Sequence, residues 1–129
     1  MTTTAPLKRR ILVVDDEPFI CDAVKMMLSF DGHSVQTATN GVDALSLFDR
    51  EKFDLVITDL TMPLMRGDEL AEAIKARDPK LPVVMITAYA ETIAGSGRAP
   101  GSVDFIISKP FLLEHLREAI AKTVPAGQL

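Results

Sequence analysis

The chain has 129 residues, 47% of them hydrophobic and 25% charged, a composition that suits one globular domain with a core of its own. A net charge of −4 argues against a nucleic-acid surface within this chain, and the single cysteine, Cys21, excludes an internal disulfide and fits a reducing compartment. No apolar run approaches the roughly 18 residues that span a bilayer, and two acids interrupt the run after Arg9-Arg10 too soon for an export signal, so a soluble, cytoplasmic protein is expected.

Residues 1–9 read as a polar, mobile lead. Ile11 to Val14 are apolar without alternation, the pattern of a strand covered on both faces, and the run ends in Asp15-Asp16-Glu17. Pro18 suits the first position of a helix, whose buried stripe is Ile20, Cys21, Val24, Met27 and Leu28. Asp31-Gly32-His33 is a turn, with His33 expected in solvent. A short strand follows over Ser34 to Ala38. Asn40 caps the next helix, Asp43 lies near its positive end, and Ala44, Leu45 and Phe48 face inward.

Leu55 to Ile57 are again a buried strand, with Asp59 at its carboxyl end and Met62-Pro63 stopping it. Leu70, Ala71 and Ile74 mark a third helix, which ends before Pro79. Leu81 to Ile86 form a fourth strand ending at Thr87. Tyr89 to Ser102 hold three glycines and a proline with only Ile93 strongly apolar, which predicts a helix of at most two turns or a mobile loop. Val103 to Ile107 form a fifth strand ending at Ser108-Lys109-Pro110. Leu113, Leu116, Ala119 and Ile120 give a last helix to about Val124, and residues 125–129 are a tail.

Strand and helix alternate, and strands this apolar need helices on both faces, so the fold class is α/β with a doubly wound, five-stranded parallel sheet. Such sheets place their sites outside the carboxyl ends of the strands. There the chain delivers Asp15 and Asp16, Asp59, Thr87 and Lys109. Singly, the acids could start helices, Lys109 could be a surface lysine and Thr87 a strand end. Their convergence on one edge points to chemistry. Clustered carboxylates repel, and a divalent cation relieves that repulsion. All-oxygen ligands select magnesium, manganese or calcium over zinc, and few protein ligands suit Mg2+ awaiting a phosphate. A carboxylate can attack a phosphoryl group, and a lysine and a hydroxyl can stabilise the charge that develops.

Four segments carry a resemblance: Val13-Val14-Asp15-Asp16-Glu17, Thr58-Asp59-Leu60-Thr61-Met62-Pro63 with Gly67, Thr87-Ala88, and Lys109-Pro110-Phe111. In that order, at those strand ends, the chain resembles the receiver domain of bacterial response regulators, the CheY-like family of two-component signalling. The resemblance implies a flavodoxin-like sheet of order 2-1-3-4-5 and a receiver domain over residues 10–124. It makes Asp59 the phosphoacceptor. Asp16, Asp15 through water, Asp59 and the backbone carbonyl of Thr61 would be the Mg2+ ligands. Thr87 and Lys109 would bind the phosphoryl group. Lys109-Pro110 would be a candidate cis bond.

The implied function is a phosphorelay switch rather than an enzyme, with only self-phosphorylation and autodephosphorylation of its own. The implied partners are a sensor histidine kinase or phosphotransfer protein, a downstream effector protein and a weak homodimer. A magnesium-dependent aspartyl-phosphate phosphatase is the alternative, but Thr61 stands where such an enzyme wants a second acid. A partner-binding pseudo-receiver would have lost an acid or the lysine. Met1 and the short tail favour a stand-alone regulator over a receiver excised from a larger transcription factor or hybrid kinase. Ile106 departs from the family, which often carries an aromatic residue there. Phe105, one place earlier, alternates to the other face and is expected in the core. His115 is expected to be solvated.

Overall fold

The computed structural model describes residues 8–88 and 102–124. The strands are β1 (Arg10–Val14), β2 (Ser34–Ala38), β3 (Leu55–Asp59), β4 (Val83–Thr87) and β5 (Phe105–Ser108). The helices are α1 (Pro18–Phe30), α2 (Gly41–Arg50), α3 (Gly67–Arg77) and α4 (Leu113–Thr123). All strand pairings are parallel, in the order β2-β1-β3-β4-β5 expected for this fold. The expected short helix or loop over Tyr89 to Ser102 lies, apart from Ser102, outside the described residues. So do residues 1–7 and 125–129.

Strand alternation sorts the apolar side chains into two cores. Ile11, Val13, Leu55, Ile57, Val84, Ile86 and Ile107 point to one face, where Val24 and Leu28 of α1 and Leu116 and Ala119 of α4 close over them. Leu12, Val14, Val56 and Val83 point to the other, covered by Ala44 of α2 and by Leu70, Ala71 and Ile74 of α3. Each strand of the sheet centre is thus buried on both sides, which is why its sequence lacks alternation. Phe105 is half-buried against the first core, on the face of Ile107.

Local chemistry ends the elements. Asn40 caps α2 by accepting the Asp43 N–H at 2.8 Å. Gly32, at φ +90°, closes α1: its N–H donates to the Ser29 carbonyl and the His33 N–H to the Leu28 carbonyl. Two strands start later than the residue pattern predicts. β4 begins at Val83 because Pro82 has no N–H to donate, and β5 begins at Phe105 because Asp104 spends its carboxylate on the Val83 N–H and on Lys75 Nζ.

One histidine expectation is corrected. His33 is buried at 7% exposure, its Nδ1 accepting the Arg9 N–H at 3.0 Å. Burial lowers its pKa, with Asp31 working the other way and Arg9 adding to the fall. His115 caps α4, its Nδ1 accepting the Leu112 N–H at 2.8 Å.

Candidate functional site

The chain leaves β1 toward β2 on one side of the sheet and enters β3 on the other, so strand order reverses between β1 and β3. A crevice opens at that reversal. β1 delivers Asp15 and Asp16 to it and β3 ends in Asp59. Carboxylate oxygens of the three acids lie within 4.8 Å of one another. Asp15 and Asp59 are buried, at 3% and 8% exposure, while Asp16 is open to solvent.

Lys109, just past β5, is the cation that the described residues bring to this cluster. Its Nζ stands 3.1 Å from Asp59 Oδ1 and 3.5 Å from Asp15 Oδ2. Its own N–H donates to the Thr87 carbonyl at 3.0 Å, and its bond to Pro110 is cis, as the resemblance implied. Thr87 is buried at the end of β4, one residue beyond the Ile86 that pairs with Asp59. Thr61 is exposed, two residues past Asp59 in the loop before α3.

Three acids against one lysine leave the pocket with surplus negative charge. Asp59 is raised above the ordinary carboxylate pKa, chiefly by burial, although Lys109 pulls it down. Asp15 is raised for the same first reason, and Asp59 and Asp16 add to it; the Glu17 N–H, donating at 2.9 Å, and Lys109 oppose the rise. Burial works against the charge on Lys109, but Asp59 and Asp15 outweigh it and hold its pKa above the usual value. A divalent cation fits this donor set: the ligands are all oxygen, clustered, and short of positive charge.

The backbone around Asp59 is built without slack. A Cβ on Gly67 would lie 2.0 Å from the Asp59 carbonyl oxygen, and the Gly67 N–H donates to the Leu60 carbonyl at 2.8 Å. Between them Leu64 takes φ +72° as the Met65 N–H turns back to the Pro63 carbonyl, a strained tight turn next to the pocket. Beneath Asp15, the Cys21 thiol points at the Asp15 and Ala38 carbonyls, and burial pushes its pKa up to about 11.

The predicted residues Asp15, Asp16, Asp59 and Lys109 therefore do converge, and Thr87 meets Lys109 through the backbone. The support given by Glu17 and Cys21 was not foreseen. Cys21 fits the stripe of α1 like any apolar residue, and a backbone N–H leaves no mark in a sequence. Gly67 stood in the motif, but its reason is the approach of the Asp59 backbone.

A family model described as the response regulator receiver domain matches residues 11–121. The chain is 35% identical over 123 residues to the response regulator MprA of Mycobacterium sp. (strain KMS), with 90% of this chain and 52% of that protein covered. It is 33% identical to MprA of Mycobacterium leprae, covering 90% and 53%. The chain thus spans about half the length of the curated relatives it matches. Among solved structures it resembles the response regulator TrrA of Thermotoga maritima in complex with Mg(2+)-BeF, with a TM-score of 0.81, 35% identity, and 90% and 99% of the two chains covered. It also resembles the chemotaxis protein CheY4 of Vibrio cholerae, with a TM-score of 0.79, 28% identity, and 92% and 100% covered.

Proposed function

Since the chain belongs to the response regulator receiver domain family of two-component signalling, we propose that Asp59 is its phosphoacceptor and that residues 10–124 form the working receiver. The observation that carries this reading is one group of contacts: three carboxylates within 4.8 Å, the central one 3.1 Å from Lys109 Nζ. A carboxylate oxygen of Asp59 attacks the phosphorus of a phosphohistidine, the P–N bond breaks, and the leaving imidazole takes up a proton, leaving an acyl phosphate on Asp59. Lys109 follows the charge from the Asp59 carboxylate onto the phosphoryl oxygens, and Thr87 at the end of β4 binds one of them through its hydroxyl. Asp16, Asp15, Asp59 and the Thr61 carbonyl would hold Mg2+, which when bound neutralises charge on the phosphoryl oxygens.

Members of this family work as phosphoacceptor switches between histidine kinases and downstream effector domains. For this chain the donor is a sensor histidine kinase or phosphotransfer protein, the output is a downstream effector, and hydrolysis of its own acyl phosphate resets the switch. The relatives extend well beyond the matched half, so an effector on the same chain fits the same reading. Among the described residues no helix is long and apolar enough to cross a membrane; a cytoplasmic place beside the kinase is part of the proposal. Acetyl phosphate with Mg2+ should modify the wild type once and leave Asp59→Asn unmodified, read by intact mass. Equal modification of both would remove the assignment.

A further inference from the structure

Asp15, Thr58, Asp59 and Thr87 are buried polar side chains at the carboxyl edge, and of these Thr58 alone has no part in the phosphoryl transfer. It lies at 0% exposure in β3, paired with Val14 on one side and Met85 on the other. Strand alternation turns it to the face of Val14 and Val56, toward the second core. A hydroxyl in such a place costs free energy unless it is bonded, and a valine of the same shape would carry none of that cost. Thr58 Oγ1 donates to the Asp59 main-chain carbonyl at 2.9 Å. Gly67, the first residue of α3, leaves room for that same carbonyl. A Cβ there would meet the Asp59 oxygen at 2.0 Å, the Asp59 carbonyl carbon at 2.9 Å and Leu60 Cα at 3.0 Å, all atoms of one peptide unit. A side chain of β3 and the backbone of α3 thus grip the same peptide.

We propose that Thr58 is a positioning residue for Asp59, a reading that rests on Asp59 being the phosphoacceptor. The link between them is the Asp59–Leu60 peptide unit, which is planar and rigid. Its carbonyl is fixed by the Thr58 hydroxyl and by the approach of Gly67. Its N–H, on the opposite edge of the same plane, faces the Asp59 carboxylate and favours the charged form. Fixing one edge of a plane fixes the other. The hydroxyl therefore sets the direction of the donor that holds the carboxylate, whose Oδ1 stands 3.1 Å from Lys109 Nζ. A nucleophile held in place needs little reorganisation on the way to the transition state, and small misplacements of such a group are costly. Thr58 touches neither the phosphoryl group nor a metal in this arrangement. It acts through the main chain of its neighbour.

Two variants of the full chain separate positioning from packing. Thr58→Val keeps the shape and removes the donor, while Thr58→Ser keeps the donor and removes a methyl group from the core. Stability and labelling should then rank them in opposite order. Urea melts should place Thr58→Ser below Thr58→Val, because a buried methyl group is lost. Labelling by acetyl phosphate at saturating Mg2+, read by intact mass, should place Thr58→Val below Thr58→Ser. The limiting rate should fall about tenfold in Thr58→Val and stay within about twofold of the wild type in Thr58→Ser, with the half-saturating acetyl phosphate concentration unchanged in both. Without acetyl phosphate, hydrogen exchange of the Leu60 amide, read against the Ile57 amide of the same strand, should quicken about tenfold in Thr58→Val and not in Thr58→Ser. A Thr58→Val chain that labels like the wild type overturns the proposal. Labelling that follows stability, with Thr58→Ser the slower, overturns it by reducing Thr58 to core packing. A wild type that takes no label at Asp59 overturns the phosphoacceptor reading and this proposal with it. A labelled wild type with an unchanged Leu60 amide in Thr58→Val overturns this proposal alone.

Discussion

The two edges of the sheet use aspartate in opposite ways. At the amino edge, Asp31 takes two bonds from the guanidinium of Arg117, at 2.7 and 2.8 Å, and Asp49 takes the guanidinium of Arg77 at 2.7 Å. These carboxyls sit below the ordinary pKa, held down first by their arginines. At the carboxyl edge, Asp15 and Asp59 share one lysine with Asp16 nearby, and burial pushes both above the ordinary value. One arginine per aspartate makes a settled pair. Two buried aspartates and a third beside them on one lysine make a pocket that is unfavourable until a cation completes it. The difference lies in desolvation and in the count of partners, since the residue type is the same.

The strongest way to break that contrast is at the backbone. Gly67→Ala forces a methyl group against the Asp59 carbonyl, so it should destabilise the fold by about 1–3 kcal/mol and depress acetyl-phosphate labelling with it. Gly32→Ala at the amino edge meets only the Lys8 side chain at 3.6 Å and suffers from its φ of +90° alone. It should cost about 1–2 kcal/mol and leave labelling intact. Urea melts with intact-mass labelling separate the two, and equal labelling of both variants would contradict the tight fit at Asp59.

The next effect is the metal's. Mg2+ at ten times its dissociation constant should add about 1.4 kcal/mol to the wild-type unfolding free energy and nothing measurable to that of Asp16→Ala. Without Mg2+, Asp16→Ala should melt above the wild type, because one of three clustered charges is gone. An Asp16→Ala chain that gained as much from Mg2+ as the wild type would remove Asp16 from the ligand set.

A smaller effect reads the sign of each edge through pH. The folded pKa of Asp15 is raised, so the folded chain holds that proton longer, and stability falls as pH rises from the ordinary value of 3.8 through the raised one. Asp15→Asn should therefore melt higher than the wild type at pH 7 without Mg2+, with the gain shrinking toward acid pH. The smallest effect is the mirror image. The pKa of Asp31 is lowered, so its contribution is present above the ordinary range and lost as pH falls through the lowered value. Arg117→Ala should melt slightly lower than the wild type at pH 7, less so in high salt, and equal to it at acid pH. Melting curves that moved in the same direction for both variants would abolish the distinction between the edges.

Much of this architecture is written in short stretches of the chain. Apolar runs such as Ile11 to Val14, the stripe of α1, the Asn40 cap and the acids at strand ends involve residues a few positions apart. Local steric and hydrogen-bonding preferences act at that range, so periodicity predicts the elements and, through Asp15-Asp16, Thr58-Asp59, Thr87 and Lys109-Pro110, the family. What only the tertiary structure decided involves residues far apart. His33 looked solvated until folding brought the Arg9 N–H to its ring, across 24 positions. Asp31 meets Arg117 across 86, and Lys109 meets Asp15 across 94. Gly67 is needed because the Asp59 backbone arrives where its side chain would be. Burial, and the pKa shifts that follow from it, depend on which elements close over a residue, and that is a property of the assembled sheet and its helices rather than of any neighbour along the chain.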